Sequence, residues 1–158
     1  MSAFVFDQNN VAKFELLKLR YPKIDSLTLP CLWMAQQQED YISRDAMIYI
    51  ANLLSMSPAE IYGIASFYTM FKLSPIGEHH IEVCQTLSCK LCGKDELLQH
   101  LEKKYKLKPG QTSKDGKITL SIVECMGACG GAPMISFNET YHENMTVKEL
   151  DNLLGDLA

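Results

Sequence analysis

The sequence has little of what marks a nucleic-acid binder, a membrane protein or a self-sufficient enzyme. Its 15 Lys and Arg against 19 Asp and Glu leave a formal net charge of −4. The longest positive run, "EKKYKLK", reads as a solvated helix end, so no nucleic-acid partner is expected. No apolar run approaches the length that crosses a bilayer, which argues against direct membrane insertion. The opening "MSAFVFDQNN" has neither the positive start and apolar core of a secretory signal nor the Arg- and Ser-rich character of an organelle leader. A cytosolic chain is expected. P-loop, GxGxxG and Ser-His-Asp arrangements are missing, so there is no visible means of holding a nucleotide or a flavin. Carboxylates such as Asp95, Glu96 and Glu102 recur on helix surfaces without a convergent partner. Low-complexity segments and repeats are absent.

What is there suits one ordinary domain or two small ones: 158 residues, 47% of them hydrophobic and 22% charged. Up to about residue 76 the chain reads as helices. "VAKFELLKLRY" crowds Phe14, Leu16, Leu17 and Leu19 to Tyr21 on a helical face, and Tyr21-Pro22 stops it. "SLTLPCLWMAQQQED" follows, with Pro30 tolerable only near a first turn. "SRDAMIYIANLLSM" has Ser43 as N-cap and Met47, Ile50, Leu53 and Leu54 on one face. In "MSPAEI", Ser57 caps, Pro58 suits the first helical position and Glu60 completes a capping box. Met56 and Ile61 stand at the two staple positions, and the helix should run to about Phe71. "KLSPIGE" is a linker.

From about residue 79 strands and helices alternate. "HHIEVCQ" is a short apolar and β-branched strand, and "KDELLQHLEKKY" puts Leu97, Leu98, Leu101 and Tyr105 at helical spacing. "KPGQTSKDGKITLSIVE" opens in a turn and closes in a strand alternating Ile118, Leu120 and Ile122. "PMISF" is a further strand, "ETYHEN" a hairpin arm, and "MTVKELDNLLGDL" a helix with a second capping box, Thr146 to Glu149, and a staple pair, Met145 and Leu150. The fold class is therefore α+β: a helical domain over 1–76 and a small α/β domain over 77–158.

Five of the six cysteines cluster. "CQTLSCKLCG" carries Cys84, Cys89 and Cys92, and "CMGACGGAP" carries Cys125 and Cys129. All five are expected in loops just past strands. Clustered thiols in a reducing compartment are ligands or redox groups before they are disulfides. If the strands ending near Cys84 and Cys125 are neighbours, both loops open at one edge of the sheet. Zinc and iron–sulfur both favour thiolate. Gly127, Ala128, Gly130, Gly131 and Ala132 keep side chains away, so N–H groups can approach sulfur, with Thr86 and Ser88 nearby. That favours an iron–sulfur cluster, whose excess negative charge is costly to bury without donors; structural zinc stays the alternative. A C-x4-C-x2-C choice, with Cys84, Cys89 and Cys92, strands a cysteine of the second loop. Two pairs, Cys84/Cys89 and Cys125/Cys129, one per iron, account for both loops and leave Cys92 to turn away at a helix start.

C-x4-C, thirty-five residues, then C-x3-C, behind a helical domain, resembles the thioredoxin-like 2Fe-2S ferredoxins. More closely it resembles the E-subunit family of NADH-quinone oxidoreductase (complex I). "YPKIDSLTLPCLWMAQQQ", "AEIYGIASFYTMFKLSPIG", "HHIEVCQTLSC" and "ECMGACGGAPMI" each resemble a family segment, in the same order, and "TYHENMTVKELDNLL" extends the likeness to the C-terminus. The resemblance implies a thioredoxin-like ferredoxin domain over 77–158 and one 2Fe-2S cluster held by Cys84, Cys89, Cys125 and Cys129; Cys92 departs from the family's needs. It also implies an electron-transfer subunit without a substrate site. FMN and NADH would belong only to a partner flavoprotein subunit, with a large iron–sulfur subunit adjoining. The assembly would be cytoplasmic, peripheral to the inner membrane of a bacterium. The diaphorase subunit of an NAD-linked hydrogenase or formate dehydrogenase, a freely diffusing ferredoxin and a zinc-stapled interaction module remain as alternatives.

Other residues have plainer readings. Cys31 is a small core hydrophobe. His79 and His80 cover a strand end, His100 and His142 are surface residues, and Trp33 is a core anchor. "FYTMF", Phe67 to Phe71, closes the helical core or forms a docking face. Pro133 stands where thioredoxin-like folds often have a cis-proline.

Overall fold

The computed structural model describes residues 4–155. Contacts divide the chain into two compact units, Met1–Pro75 and Ile76–Ala158.

The first unit is helical: α1 (Gln8–Lys18), a 3-10 turn Ile24–Leu27, α2 (Thr28–Glu39), α3 (Arg44–Leu54) and α4 (Pro58–Phe67). Local chemistry starts these helices. Asp7 and Ser43 accept from Asn10 and Ala46 N–H, and Ser57 with Glu60 forms the reciprocal capping box. Leu32, Ile42, Ile50, Leu54 and Ile61 are fully buried or nearly so, and Met56 and Leu53 pack against them. Cys31 is buried among them, and burial pushes its thiol up to about 12.

Three expectations fail here. On α1 the inner face is Asn10, Phe14 and Leu17, so Leu16 is exposed, and Leu19, 84% exposed, lies past the helix end. Trp33 is no core anchor: Cys31, Leu32, Met34 and Ala35 take the inner face of α2 and leave it 36% exposed. And α4 stops at Phe67 instead of Phe71. Gln36 explains the stop, since its amide donates to Met70 C=O at 3.1 Å and accepts from Lys72 N–H at 2.6 Å. Those backbone groups are thereby satisfied outside a helix, and Phe71 turns into the core while Phe67 stays 76% exposed.

The second unit is a five-stranded sheet: β1 (His79–Cys84), β2 (Gln111–Thr112), β3 (Ile118–Val123), β4 (Ile135–Phe137) and β5 (Thr140–His142), in the order β2-β3-β1-β4-β5. β1 and β3 are parallel; the other pairings are antiparallel. Between β1 and β2 lie α5 (Leu87–Leu91) and α6 (Lys94–Tyr105), and α7 (Val147–Gly155) follows β5. The expected residues Asp156 and Leu157 of that last helix lie outside the described residues. Ile81, Val83 and Leu120 from the sheet meet Leu97 and Leu101 of α6 and Leu150 and Leu154 of α7. The second capping box forms, with Thr146 N–H donating to Glu149 Oε2 at 2.9 Å and Glu149 N–H to Thr146 Oγ1 at 3.2 Å. Alternation places Ile122 on the core face of Ile118 and Leu120, but it is exposed. β2 pairs with Thr119 and Leu120, and N–H groups of Ser113 and Gly110 add bonds to Ile118 and Leu120 C=O, each at 2.7 Å. Among the described residues no helix is long and apolar enough to cross a membrane.

Candidate metal centre

Because β1 and β3 are parallel neighbours, with Cys84 opposite Val123, the loops leaving them open at the same edge. Their roots are tied together: Gln85 N–H donates to Val123 C=O at 3.0 Å, and the Gln85 amide to Glu124 Oε1 at 2.7 Å. The first loop passes at once into α5, which carries Cys89; that thiol is in a helix, not in the expected loop. The second loop carries Cys125, turns at Gly127 in the left-handed region (φ +81°), where a glycine is least strained, and reaches Cys129 in a 3-10 turn.

The thiols come as two pairs. Cys84 and Cys89 are buried against Met134, with Met126, Ala128 and Ala132 packed around them. Cys125 and Cys129 are exposed, with Sγ atoms 3.7 Å apart. The pairs sense one another, Cys125 with Cys84 and Cys89 with Cys129. Among the described residues no three His, Cys, Asp or Glu side chains are arranged around a single ion.

Donors converge on these sulfurs. Gly127 N–H donates to Cys125 at 3.4 Å, Thr86 Oγ1 lies 3.2 Å from Cys84 Sγ, and Met126 and Met134 N–H serve Cys84 and Cys89. Burial pushes the Cys84 thiol up, but the hydroxyl and N–H of Thr86, with Cys89 and Met126, outweigh it and draw it below its usual value. Gly127 N–H, then Cys129 and Thr86, draw Cys125 down, so each pair offers one thiol disposed to ionise. Cys89 goes the other way: burial raises it, Met134 N–H opposes, and neighbouring Cys84 and Cys129 add to the rise. The donor set fits a thiolate-bound cluster: soft ligands, small neighbours and N–H groups aimed at sulfur.

Cys92 caps the C-terminal end of α5 and is exposed. It lines a separate cavity of about 410 Å³ with Glu96, Ala132, Pro133 and Thr146. Ser88 makes no bond to sulfur among the described residues. The Ala132–Pro133 bond is cis. His79 stacks on Phe137 at 5.5 Å, and His80 Nε2 is 2.8 Å from Ser121 Oγ. His142 is half-buried beside Phe137. His100 is more than a surface residue: its Nε2 lies 2.6 Å from Asp151 Oδ1, joining α6 to α7.

Sequence reasoning missed the strap across the second loop. Asn144 and Met145 N–H donate to Gly131 and Pro133 C=O at 2.6 and 2.8 Å, and a Cβ at Gly131 would lie 2.6 Å from Glu143 Cβ. The glycine was the available signal, since close backbone approach is one reason for glycine at such a position. The Met126 and Met134 donors carry no residue-type signal, being main-chain groups.

The family model for thioredoxin-like 2Fe-2S ferredoxins matches residues 14–158. A protein of Rickettsia typhi named as the E subunit of NADH-quinone oxidoreductase is 40% identical over 154 residues, covering 96% of this chain and 91% of that one. A Rhizobium meliloti protein, named as the second E subunit of NADH-quinone oxidoreductase, is 38% identical over 142 residues, 90% of this chain and 84% of the relative. A solved structure of an NAD+-reducing NiFe hydrogenase superposes with a TM-score of 0.70 on 80% of this chain, at 23% identity. This chain spans 22% of that hydrogenase chain, and the likeness is one of fold. With its thiol pairs at the β1–β3 edge and relatives matched along nearly their whole length, the chain belongs to the thioredoxin-like 2Fe-2S ferredoxin family, in the branch formed by the E subunits of NADH-quinone oxidoreductase.

Proposed function

We propose that Cys84, Cys89, Cys125 and Cys129 hold one 2Fe-2S cluster, one pair to each iron, and that the chain is an electron-transfer subunit of an NADH:quinone oxidoreductase (complex I). The convergence of two thiol pairs beneath N–H and O–H donors carries the reading. When bound, such a cluster supplies a one-electron relay, its all-thiolate ligation setting a potential nearer the about −400 mV of plant-type ferredoxins than that of Rieske centres. The chain's own groups do the holding. Met126, Gly127 and Met134 N–H offset the negative charge on sulfur, and Met134, Met126, Ala128 and Ala132 keep water from the Cys84/Cys89 side. The Cys125/Cys129 side is open, which suits electron exchange there.

The electron source would be FMN on an NADH-binding flavoprotein subunit, with the large iron–sulfur subunit adjoining, in an assembly on the cytoplasmic side of a bacterial inner membrane. The names of the relatives support membership in an NADH-quinone oxidoreductase. The helical unit would hold the partner. It exposes Tyr62, Phe67, Tyr68 and Met70, and Tyr62 also lines a groove of about 530 Å³ with Ile42, Met47, Ile48, Pro58 and Leu73. The diaphorase subunit of an NAD-linked hydrogenase shares the fold and is the second reading; the acceptor reduced by the purified assembly, quinone or not, separates the two.

The test is affinity purification of the tagged chain from its native cells. The expected result is an FMN-containing, NADH-oxidising polypeptide in one-to-one ratio, released by Phe67→Glu with Met70→Glu while the cluster stays. A chain recovered without a flavoprotein contradicts the reading.

A further inference from the structure

Thr86 stands at the N-cap of α5, where a threonine hydroxyl ordinarily accepts an N–H of the first turn. Here it makes no such bond. Its Oγ1 is instead 3.2 Å from Cys84 Sγ. The first loop thus sets a hydroxyl against a sulfur of the buried pair. The other donors each serve one sulfur: Met126 for Cys84, Met134 for Cys89, Gly127 for Cys125. They are main-chain groups, whereas the Thr86 hydroxyl is a side-chain donor that substitution can remove.

A ligand thiolate carries no proton, so toward Cys84 the hydroxyl can only donate. That bond draws charge off sulfur. Hydrogen bonds to sulfur and net charge are among the determinants of such a cluster's potential, and a donor favours the more negative, reduced form.

We infer that Thr86 is a positioning residue that raises the reduction potential of the cluster, its hydroxyl freed from helix capping to donate to Cys84. The inference rests on the ligand assignment proposed above. Two variants separate the hydroxyl from the volume around it: Thr86→Val keeps the branched shape without the O–H, and Thr86→Ser keeps the O–H in a smaller side chain.

The experiment uses the full-length chain, prepared anaerobically, with iron and sulfide counted and the potential read from a redox titration followed by electron paramagnetic resonance. Thr86→Val should keep wild-type iron and sulfide and disfavour reduction about tenfold, a shift of ~59 mV to more negative potential for one electron. Thr86→Ser should move by less than about a third of that. A fully loaded Thr86→Val at the wild-type potential overturns the inference, and so does an equal shift in both variants, which is a packing effect. Should Thr86→Val lose its iron while Thr86→Ser keeps it, the hydroxyl is needed to retain the cluster rather than to set its potential, and the inference is overturned; loss in both overturns it as well. A wild-type chain with no two-iron signal is a separate failure, that of the ferredoxin reading itself, and takes this inference with it.

Discussion

The helical unit and the sheet unit put their buried polar groups to different ends. In the helical unit they are fasteners: Gln36 holds the 70–72 segment, and Asn10 donates to Met34 C=O at 3.4 Å and Gln38 Oε1 at 3.0 Å, binding α1 to α2. The apolar core around Ile50 and Leu54 is continuous. The sheet unit has two cores. One, around Ile81, Leu101 and Leu120, is as apolar as that of the helical unit; the other is small and built on Cys84, Cys89 and Met134. Around the second, N–H groups of Met126, Gly127 and Met134 are aimed at sulfur rather than at carbonyls. Any apolar surface of the right shape holds a fold together, whereas a redox site needs donors withheld from secondary structure, and the loops after β1 and β3 aim theirs at sulfur.

The largest expected effect breaks the second core alone. Cys125→Ser should abolish the visible absorbance and resonance signal of the cluster, while Cys92→Ser, outside both pairs, should leave them nearly intact. An unchanged spectrum in Cys125→Ser would refute the pairing. Next in size, Ile50→Ala should cost the helical unit about 2–5 kcal/mol, read by denaturant unfolding, with the cluster spectrum of the folded protein unaltered. A spectrum that changes with it would mean that the two units are not energetically separate.

The smallest effect concerns the α6–α7 contact. Lys104, then His100, hold the Asp151 carboxyl down to about 2, with Nζ and Nε2 at 2.8 and 2.6 Å. Because the folded value lies below the usual 3.8, the stabilisation is present above that pH and lost as pH falls through about 2. Both partners are accessible to solvent, so the effect is modest and screened by salt. In acid titrations followed by far-ultraviolet circular dichroism, Asp151→Asn should lose less stability than wild type between pH 4 and 2. Identical slopes would dismiss the contact.

Legibility in the sequence followed the range of the physics. The capping boxes at Ser57 and Thr146 are readable because each closes within three residues. The end of α4 is not, because Gln36, which satisfies Met70 and Lys72, lies more than thirty residues upstream. Alternation alone does not show that Ile122, unlike Ile118 and Leu120, is exposed. Spacing and small residues suffice to choose two thiol pairs, but the shared edge stays conditional until β1 and β3 prove adjacent. α5 is too short for any periodicity to announce it, so Cys89 reads as a loop residue, and the contact of the Thr86 hydroxyl with Cys84 needs coordinates.

The most direct test is the metal content and colour of the full-length chain purified without oxygen. Two irons and two acid-labile sulfides per chain, with a red-brown spectrum that bleaches on one-electron reduction, are what two thiol pairs under N–H donors should hold. A pale, iron-free protein carrying one zinc would contradict the account.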